Sequence, residues 1–341
     1  MTTPIPPLRL GLAGFDEARG RVIRQRLQVP RPGGLRWEVA PFHEADAWWL
    51  CGARVSLTGD AMVRVPPGLP SERAIQLTLA EVDRPVAFSL PLAPRGFTPA
   101  CVFDLGDGAS VAAALHRFEA WMQPLVAQFC LAASLVREQP ALGAGPWEVL
   151  HGGRLVAVVD QQNGTAVAPD ATPADFAEAI WCVRDWGTVR VPAPFVRASL
   201  SQLMWQFALR TESDLLPPHY RERPLYFRRP PKLPQRLLAD AHLLLLRELA
   251  ARPGLRFDQL AASAPFSPTV LARHLAALYY VGAITANPRR AAPGLGRRFD
   301  SADSRPLTSV LPSELESAPA SEPPPARPLA DFTAPAPLRW E

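Results

Sequence analysis

Cationic and aromatic side chains alternate in the segment HYRERPLYFRRPPK, residues 219–232, which gives it the capacity to bind an anion. A guanidinium group donates paired hydrogen bonds to phosphate, and aromatic rings stack on bases or on guanidinium planes. The segment therefore favours a phosphate-bearing ligand, either an anionic nucleotide or the backbone of a nucleic acid. The candidate binding side chains are Arg221, Arg223, Arg228, Arg229 and Lys232.

The same cations can instead form salt bridges within the protein. Asp185, Glu212 and Asp214 precede them in the chain and could pair with them, which would lock neighbouring domains together. The sequence leaves both alternatives open. Guanidinium groups that converge without carboxylate partners would favour the ligand, and paired ones would favour the structural role.

The motifs of the common catalytic classes are missing from this sequence. It has no Gly-x-Ser-x-Gly, no His-Glu-x-x-His and no Gly-x-Gly-x-x-Gly after a strand, and Lys232 is its single lysine, which excludes a phosphate-binding loop. The four cysteines are scattered without the spacing of a zinc site, which is typical of reduced thiols in a cytoplasmic protein. We therefore predict no catalytic residue, no metal site, no cofactor and no enzymatic activity.

The segment FSPTVLARHLAALYYVGAIT, residues 266–285, predicts a capped helix followed by a strand. Ser267 can cap the helix with its hydroxyl, Pro268 suits the first helical position, and Gly282 can end the helix. Apolar side chains recur between them at steps of three and four residues, which predicts one buried face. That face consists of Val270, Leu271, His274, Leu275 and Leu278.

With two preceding helices, this segment resembles a winged-helix domain over about residues 236–290. The resemblance implies that the third helix and the following basic wing contact DNA. The residues it would place against DNA are Thr269, Arg273, Tyr280, Arg289, Arg290, Arg297 and Arg298. The rest of the predicted outward face is Ala272, Ala276 and Ala277, which cannot hydrogen-bond to base edges. The alternative is therefore a packing or dimerisation module with a solvated basic loop.

The N-terminal segment resembles a degenerate response-regulator receiver, a pseudo-receiver. LRLGLAGFDE is similar to the first receiver strand, ADAWWLCG to the third and PVAFSLPL to the last. Cys51 stands where the phospho-accepting aspartate would be, and Ala13 and Gly14 stand where the metal-binding acids would be. The resemblance thus implies a domain that phosphorylation cannot switch. An unrelated small α/β domain is the alternative.

Composition and local patterns predict a soluble protein of α/β plus α+β class. Hydrophobic residues make up 48%, and no apolar run is long enough for a membrane span or signal peptide. Alternating strands and helices, then a β-meander with further helices, then a proline-rich stretch predict successive domains. These are an α/β pseudo-receiver-like domain (1–94), a mixed α+β middle domain (95–216), an Arg/Pro-rich connector (217–235), a winged helix (236–291) and a disordered Pro/Ala-rich tail (292–341).

Three functional hypotheses follow for a non-catalytic regulatory protein. The first is a signalling adaptor that binds protein partners through an exposed apolar patch, around Trp48 and Trp49 or around Ala276 and Tyr280. The second is a transcriptional regulator that binds DNA through the third helix and the wing. The third is a sensor of an anionic nucleotide at the connector. The oligomeric state stays open.

Overall fold

The computed structural model of the chain describes residues 5–31, 34–58, 62–138, 142–143, 145–160, 163–263 and 265–292. These residues divide into two compact units, 5–213 and 214–292. The predicted disorder from residue 293 onward and the wing residues Arg297 and Arg298 lie outside the described residues. Within the described ranges, no helix is both long and apolar enough to cross a membrane.

A five-stranded parallel sheet forms the N-terminal half of the first unit. Its strands lie in the order β2-β1-β3-β7-β8, and each neighbouring pair is parallel. The elements up to the last strand of this sheet are β1 (Leu8–Ala13), α1 (Glu17–Gln28), β2 (Trp37–Ala40), β3 (Ala47–Leu50), β4 (Ser56–Thr58), β5 (Met62–Val65), β6 (Ile75–Thr78), β7 (Val86–Ser89) and β8 (Val102–Phe103).

This strand order is the one that flavodoxin-like sheets, receivers among them, have. The connections differ from those of a regular doubly wound fold. A separate antiparallel sheet, β4-β5-β6, lies between β3 and β7 in the chain, where a crossover helix is usual. The sheet also extends past residue 94, because β8 pairs with β7, so PVAFSLPL contributes the fourth strand of this sheet and not the last. The receiver resemblance itself stays a prediction.

The helix predicted after the first strand is present as α1. Asp16 caps it by accepting a 2.8 Å hydrogen bond from the backbone N–H of Arg19. The apolar positions of DEARGRVIRQRL predict that Val22, Ile23 and Leu27 point inward. Ile23 is buried and Leu27 is half-buried, whereas Val22 is exposed. The apolar stripe of α1 is therefore narrower than predicted.

The second half of the first unit contains an antiparallel sheet with the order β12-β9-β10-β11-β13. Its elements are α2 (Gly108–Glu138), β9 (Trp147–His151), β10 (Arg154–Asp160), β11 (Gly164–Val167), α3 (Pro173–Ala177), β12 (Ile180–Val183), β13 (Val196–Ala198) and α4 (Leu200–Arg210). The helix α2 continues through Pro124 without a break. The predicted β-meander, helical run and mixed α+β character are present.

The sequence TPADFAEAIWCVRDW predicts one helix, with Thr172 as its cap and Pro173 in its first turn, but the structure differs from that prediction. A capping box between Thr172 and Asp175 begins α3, but this helix ends at Ala177. The residues Ile180–Val183 then form β12, which pairs with β9. The reason is local composition: β-branched and aromatic side chains favour an extended strand where a sheet edge offers hydrogen bonds.

Two buried carboxylates join the elements of the first unit. Glu119 on α2 accepts hydrogen bonds through Oε1 from Arg31 Nη2 at 2.6 Å and from Trp37 Nε1 at 3.0 Å. Asp46, just before β3, forms a bidentate pair with Arg210 at the end of α4, with N···O distances of 2.7 and 2.6 Å. Each pair contributes a specific long-range contact to this unit.

Within the described residues, the second unit contains four α-helices, two short 3-10 helices and a two-stranded antiparallel ribbon. Its elements are α5 (His219–Glu222), β14 (Tyr226–Phe227), a 3-10 helix (Gln235–Leu237), α6 (Asp240–Ala251), α7 (Phe257–Ser263), α8 (Pro268–Tyr280), β15 (Ile284–Thr285) and a second 3-10 helix (Pro288–Arg290). The strands β14 and β15 pair through Tyr226 with Thr285 and Phe227 with Ile284. Leu245, Leu249, Leu260, Leu271 and Leu275 are among its buried side chains.

The third helix of the predicted trio, α8, has the ends that the sequence indicated. The hydroxyl of Ser267 accepts the N–H of Val270, and Pro268 is the first helical residue. Gly282 has φ +66°, and its N–H donates to Tyr279 O while Ala283 N–H donates to Leu278 O. This pair of hydrogen bonds is a Schellman motif, which needs a left-handed residue at the position of Gly282.

Candidate anion-binding site

Positive charge is concentrated in the second unit. Residues 214–292 contain twelve Arg and Lys against five Asp and Glu, a formal net charge of +7, whereas residues 1–213 contain nineteen against twenty. The overall charge of +4 conceals this asymmetry. A concentration of positive charge in one unit indicates a surface suited to anionic partners.

Arg228 and Arg229 converge at the C-terminal end of α8. A β-carbon placed on Gly282 would lie 3.0 Å from Nη2 of Arg229 and 3.4 Å from Nη1 of Arg228. The backbone holds both arginines there, because Arg228 N–H donates to Ala283 O at 2.8 Å. The left-handed glycine that ends the helix therefore also leaves the space that the two guanidinium groups share.

A backbone hydrogen bond holds the segment with two further arginines, Arg289 and Arg290, against the end of β14. Ala292 N–H donates to Phe227 O at 2.9 Å, and the turn before Ala292 carries Arg289 and Arg290, both exposed. Since Phe227 precedes Arg228, chain geometry places the Cα atoms of Arg228 and Arg290 no more than about 17 Å apart. We call Arg228, Arg229, Arg289 and Arg290 the four-arginine cluster.

Among the described residues, the connector cations divide into one that forms a salt bridge and several that form none. Arg221 forms a salt bridge with Asp214 at 2.6 Å, and its guanidinium lies 4.8 Å from the ring centre of Phe257. Within the described ranges, no carboxylate lies at salt-bridge distance from Arg223, Arg228, Arg229 or Lys232, and none of these side chains donates a hydrogen bond. Glu212, another expected partner, pairs with Arg36 instead.

Two unpaired guanidinium groups this close repel each other. At a separation of about 6.4 Å, the largest that the two distances to the Gly282 β-carbon position allow, the repulsion is about 0.6 kcal/mol in a water-like dielectric and larger where solvent is partly excluded. The negative end of the α8 dipole offsets part of this repulsion. An anion bound between the two groups would offset this repulsion more completely, so the geometry is compatible with anion binding.

Tyr220 lies beside this region and is buried. Burial raises the pKa of its phenol, and repulsion from Tyr279 raises it further, while Thr285 and Arg228 act in the opposite direction. The phenol is therefore neutral at physiological pH and does not neutralise Arg228. Tyr220 stood among the aromatic residues of the connector in the sequence, but nothing there indicated its place beside Thr285.

The outward face expected for the third helix is largely absent. Ala272, Ala276 and Ala277 are 4%, 1% and 0% exposed, so the prediction that they face solvent was wrong. Thr269 is exposed, whereas Arg273 and Tyr280 are half-buried, and burial raises the pKa of Tyr280 to about 12. The prediction of a helix was confirmed. The prediction of its exposed face failed because alanine side chains are small and allow other elements to pack closely against that face.

The apolar patches expected of an adaptor are also largely buried, with Tyr280 half-buried. Trp48, Trp49 and Ala276 are buried, so they cannot offer the exposed surface that we predicted. Large apolar side chains are exposed elsewhere, on and just after the sheet-edge strand β12, at Ile180, Val183 and Trp186.

Two histidines of the second unit interact with each other. His242 Nδ1 accepts the N–H of Ala239 at 3.1 Å, which leaves the proton of the neutral ring on Nε2. That Nε2 lies 2.9 Å from Nδ1 of His274. Burial and the neighbouring His274 lower the pKa of His242 to about 4. The expectation of a buried His274 holds in part, since its ring is half-buried.

The parallel sheet has a small cavity of about 280 Å³ at the carboxyl ends of β1 and β2. Asp16, Glu17, Arg24, Glu72 and Arg73 are its charged lining residues. Cys51 is fully buried, with its Sγ 3.3 Å from Nη1 of Arg19. Across the described residues, no group of three His, Cys, Asp or Glu side chains is arranged to hold a metal ion.

Comparison with known proteins adds no relative to these observations: no family model, no curated protein and no solved structure matches this chain.

Proposed function

We propose that the chain is a non-catalytic regulatory protein that binds duplex DNA through residues 214–292. The observation that carries the proposal is the four-arginine cluster, two of whose members converge at Gly282 without a carboxylate partner among the described residues. The net charge of +7 on this unit supports it, because phosphate contacts from arginine supply most of the affinity in non-specific DNA binding.

The winged-helix resemblance supports the same proposal, but it requires a DNA-contacting surface other than the third helix. The order of three helices followed by a strand agrees with that resemblance. The buried alanines of α8 make the third helix a poor reader of bases, so the contact moves to the turn that carries Arg289 and Arg290 and to the end of β14. The adaptor hypothesis has weaker support, because its expected patches are buried. A nucleotide sensor would use the same unpaired arginines as DNA.

Anisotropy of a labelled 20-base-pair duplex, titrated with the full-length protein, tests the proposal. If the cluster contacts about three phosphates, affinity should fall about 40-fold between 50 and 200 mM KCl. Arg289→Glu/Arg290→Glu should weaken binding more than tenfold at 100 mM KCl, because it places acids beside the phosphates.

Arg190→Glu/Arg197→Glu is the matched control, since it makes the same charge change at exposed positions of residues 1–213. It should leave the affinity within about threefold. Equal losses in both variants would mean that only the total charge matters, and the absence of binding at 50 mM KCl would refute DNA binding.

A further inference from the structure

The arrangement around Gly282 gives two members of the four-arginine cluster a specific role. We propose that Arg228 and Arg229 bind one backbone phosphodiester between them at the C-terminal end of α8, and that the protein consequently binds duplex DNA without regard to base sequence. This inference rests on the proposed function, because it names the chemical group by which the same surface recognises DNA.

The distances suit a single phosphate. The Nη2 atom of Arg229 and the Nη1 atom of Arg228 lie 3.0 and 3.4 Å from the same point beside Gly282, as measured to the β-carbon position. The two nitrogens are therefore no more than about 6.4 Å apart. Charge-assisted N–H···O bonds are about 2.8 Å long, so oxygens of one phosphate can accept from both arginines at once.

A purely structural role for the two guanidinium groups has less support, because the helix end is already satisfied. Leu278 O accepts Ala283 N–H at 2.9 Å, and Tyr279 O accepts Gly282 N–H at 2.8 Å. Within the described ranges, neither guanidinium donates a hydrogen bond. Both forks thus keep their donors for a ligand, while the helix dipole eases the repulsion between them.

Binding without regard to base sequence follows from the side chains of α8, which are too small or too buried to reach base edges. Base readout requires side chains such as arginine, asparagine or glutamine that reach base edges. The central positions Ala272 and Ala276 are small and buried, and Arg273 is half-buried. Backbone phosphates are the same at every base pair, so a phosphate-led contact carries no sequence information.

The experiment measures the salt dependence of duplex binding for full-length variants. The logarithmic slope of affinity against salt falls by about 0.9 for each phosphate contact that is lost. We expect Arg228→Ala/Arg229→Ala to bind at least tenfold more weakly at 100 mM KCl and to lose about one such step. A loss of two steps would mean separate phosphates, and an unchanged slope would mean no contact; either result overturns the shared site.

Two further variants separate binding from folding and from net charge. Arg228→Lys/Arg229→Lys keeps both charges at the end of α8, so the fold persists, but it removes the forked donors. It should keep the slope and bind several-fold more weakly; wild-type affinity would overturn the forked contact. Arg247→Ala/Arg256→Ala removes two exposed charges elsewhere in the same unit and should bind within threefold of wild type. An equal loss in this control would overturn a local site.

Two competition measurements test whether binding depends on base sequence and whether the ligand is DNA or a free phosphate compound. Poly(dA·dT) and poly(dG·dC) should compete with the labelled duplex within about threefold of each other, and a larger preference would overturn independence from sequence. ATP and inorganic phosphate at matched ionic strength should not displace the duplex, and displacement by micromolar ATP would reassign the site to a free nucleotide. If the wild type binds no duplex, the proposed function itself fails. If the wild type binds but Arg228→Ala/Arg229→Ala keeps the wild-type salt slope, the proposed function stands and only the shared phosphate site is refuted.

Discussion

At the scale of single residues, local contacts shift the pKa values of two histidines in opposite directions. Burial and the neighbouring His274 lower the pKa of His242 to about 4. The hydrogen bond to Asp175 raises the pKa of His151, and Glu178 contributes in the same direction. Protonation of His242 is therefore unfavourable in the folded state, whereas protonation of His151 is favoured.

The stability of the second unit should fall in mild acid because of His242. The folded pKa of about 4 lies below the unfolded value of about 6.5, so the unfolded state binds the proton first and stability falls as pH decreases from 6.5 toward 4. The loss should reach about 2 kcal/mol by pH 5. Urea titration at pH 7.5 and pH 5, followed by tyrosine signals, measures it.

His242→Gln isolates this contribution, because an amide oxygen can still accept the N–H of Ala239 but does not titrate in this range. The variant should lose most of the difference between the two pH values. His43→Gln, at an exposed side chain, should keep it. An identical pH response in both variants would assign the acid sensitivity to other groups.

The sequence could place some of these residues and not others. The helical repeat indicated that His274 lies toward the buried side of the third helix. It did not identify His242 as the partner, because the two are 32 residues apart and only the packing of α6 on α8 brings them together. Similarly, Gly282 was identified as a helix end, whereas its contact with Arg228 and Arg229 depends on how β14 pairs with β15.

At the scale of elements, regular patterns were predicted well and short segments less well. The apolar run of β1 and the capped helix α8 follow from side-chain periodicity and terminal residues. The strand β12 could not be predicted in this way. Ile180–Val183 follows a well-capped helix start, and the segment is extended because it pairs with β9. The pairing of β8 with β7 was also not predictable, since two residues are too few to show a repeat.

The contact between α4 and the parallel sheet should depend on one buried ion pair. Asp46 and Arg210 have side chains only 6% and 16% exposed, and Asp46 also accepts the backbone N–H of Arg9. Asp46→Asn leaves the guanidinium without its charge partner, which typically costs about 3–5 kcal/mol. Urea unfolding followed by tryptophan fluorescence measures the loss of stability.

Glu212→Gln provides the comparison, because Arg36 and Glu212 form a pair that is 61% exposed on both sides. Water screens this pair, so its loss should cost no more than about 1 kcal/mol. Similar losses in the two variants would contradict the structural importance of the buried pair.

At the scale of the whole molecule, charge and aromatic residues are both distributed unequally. All four tyrosines lie in residues 214–292, and eight of the nine tryptophans lie in residues 1–213. The unit with the tyrosines is also the one with a net charge of +7. Fluorotyrosine and fluorotryptophan therefore report separately on the two units of a single full-length chain.

Saturating duplex DNA should stabilise the unit that reports through tyrosine. A ligand that binds only the native state, at a concentration of 100 times its dissociation constant, adds about 2.7 kcal/mol to stability. In urea titrations followed by fluorine NMR, the midpoint of the fluorotyrosine signals should rise by roughly 1–2 M. The midpoint of the fluorotryptophan signals should not change. The Trp340→Phe substitution removes the one tryptophan outside residues 1–213.

Urea is the suitable denaturant because it leaves the ionic strength, and thus the phosphate contacts, unchanged. An equal shift of both midpoints would show that DNA also stabilises residues 1–213, and a shift of the tryptophan midpoint alone would place the DNA site outside the four-arginine cluster.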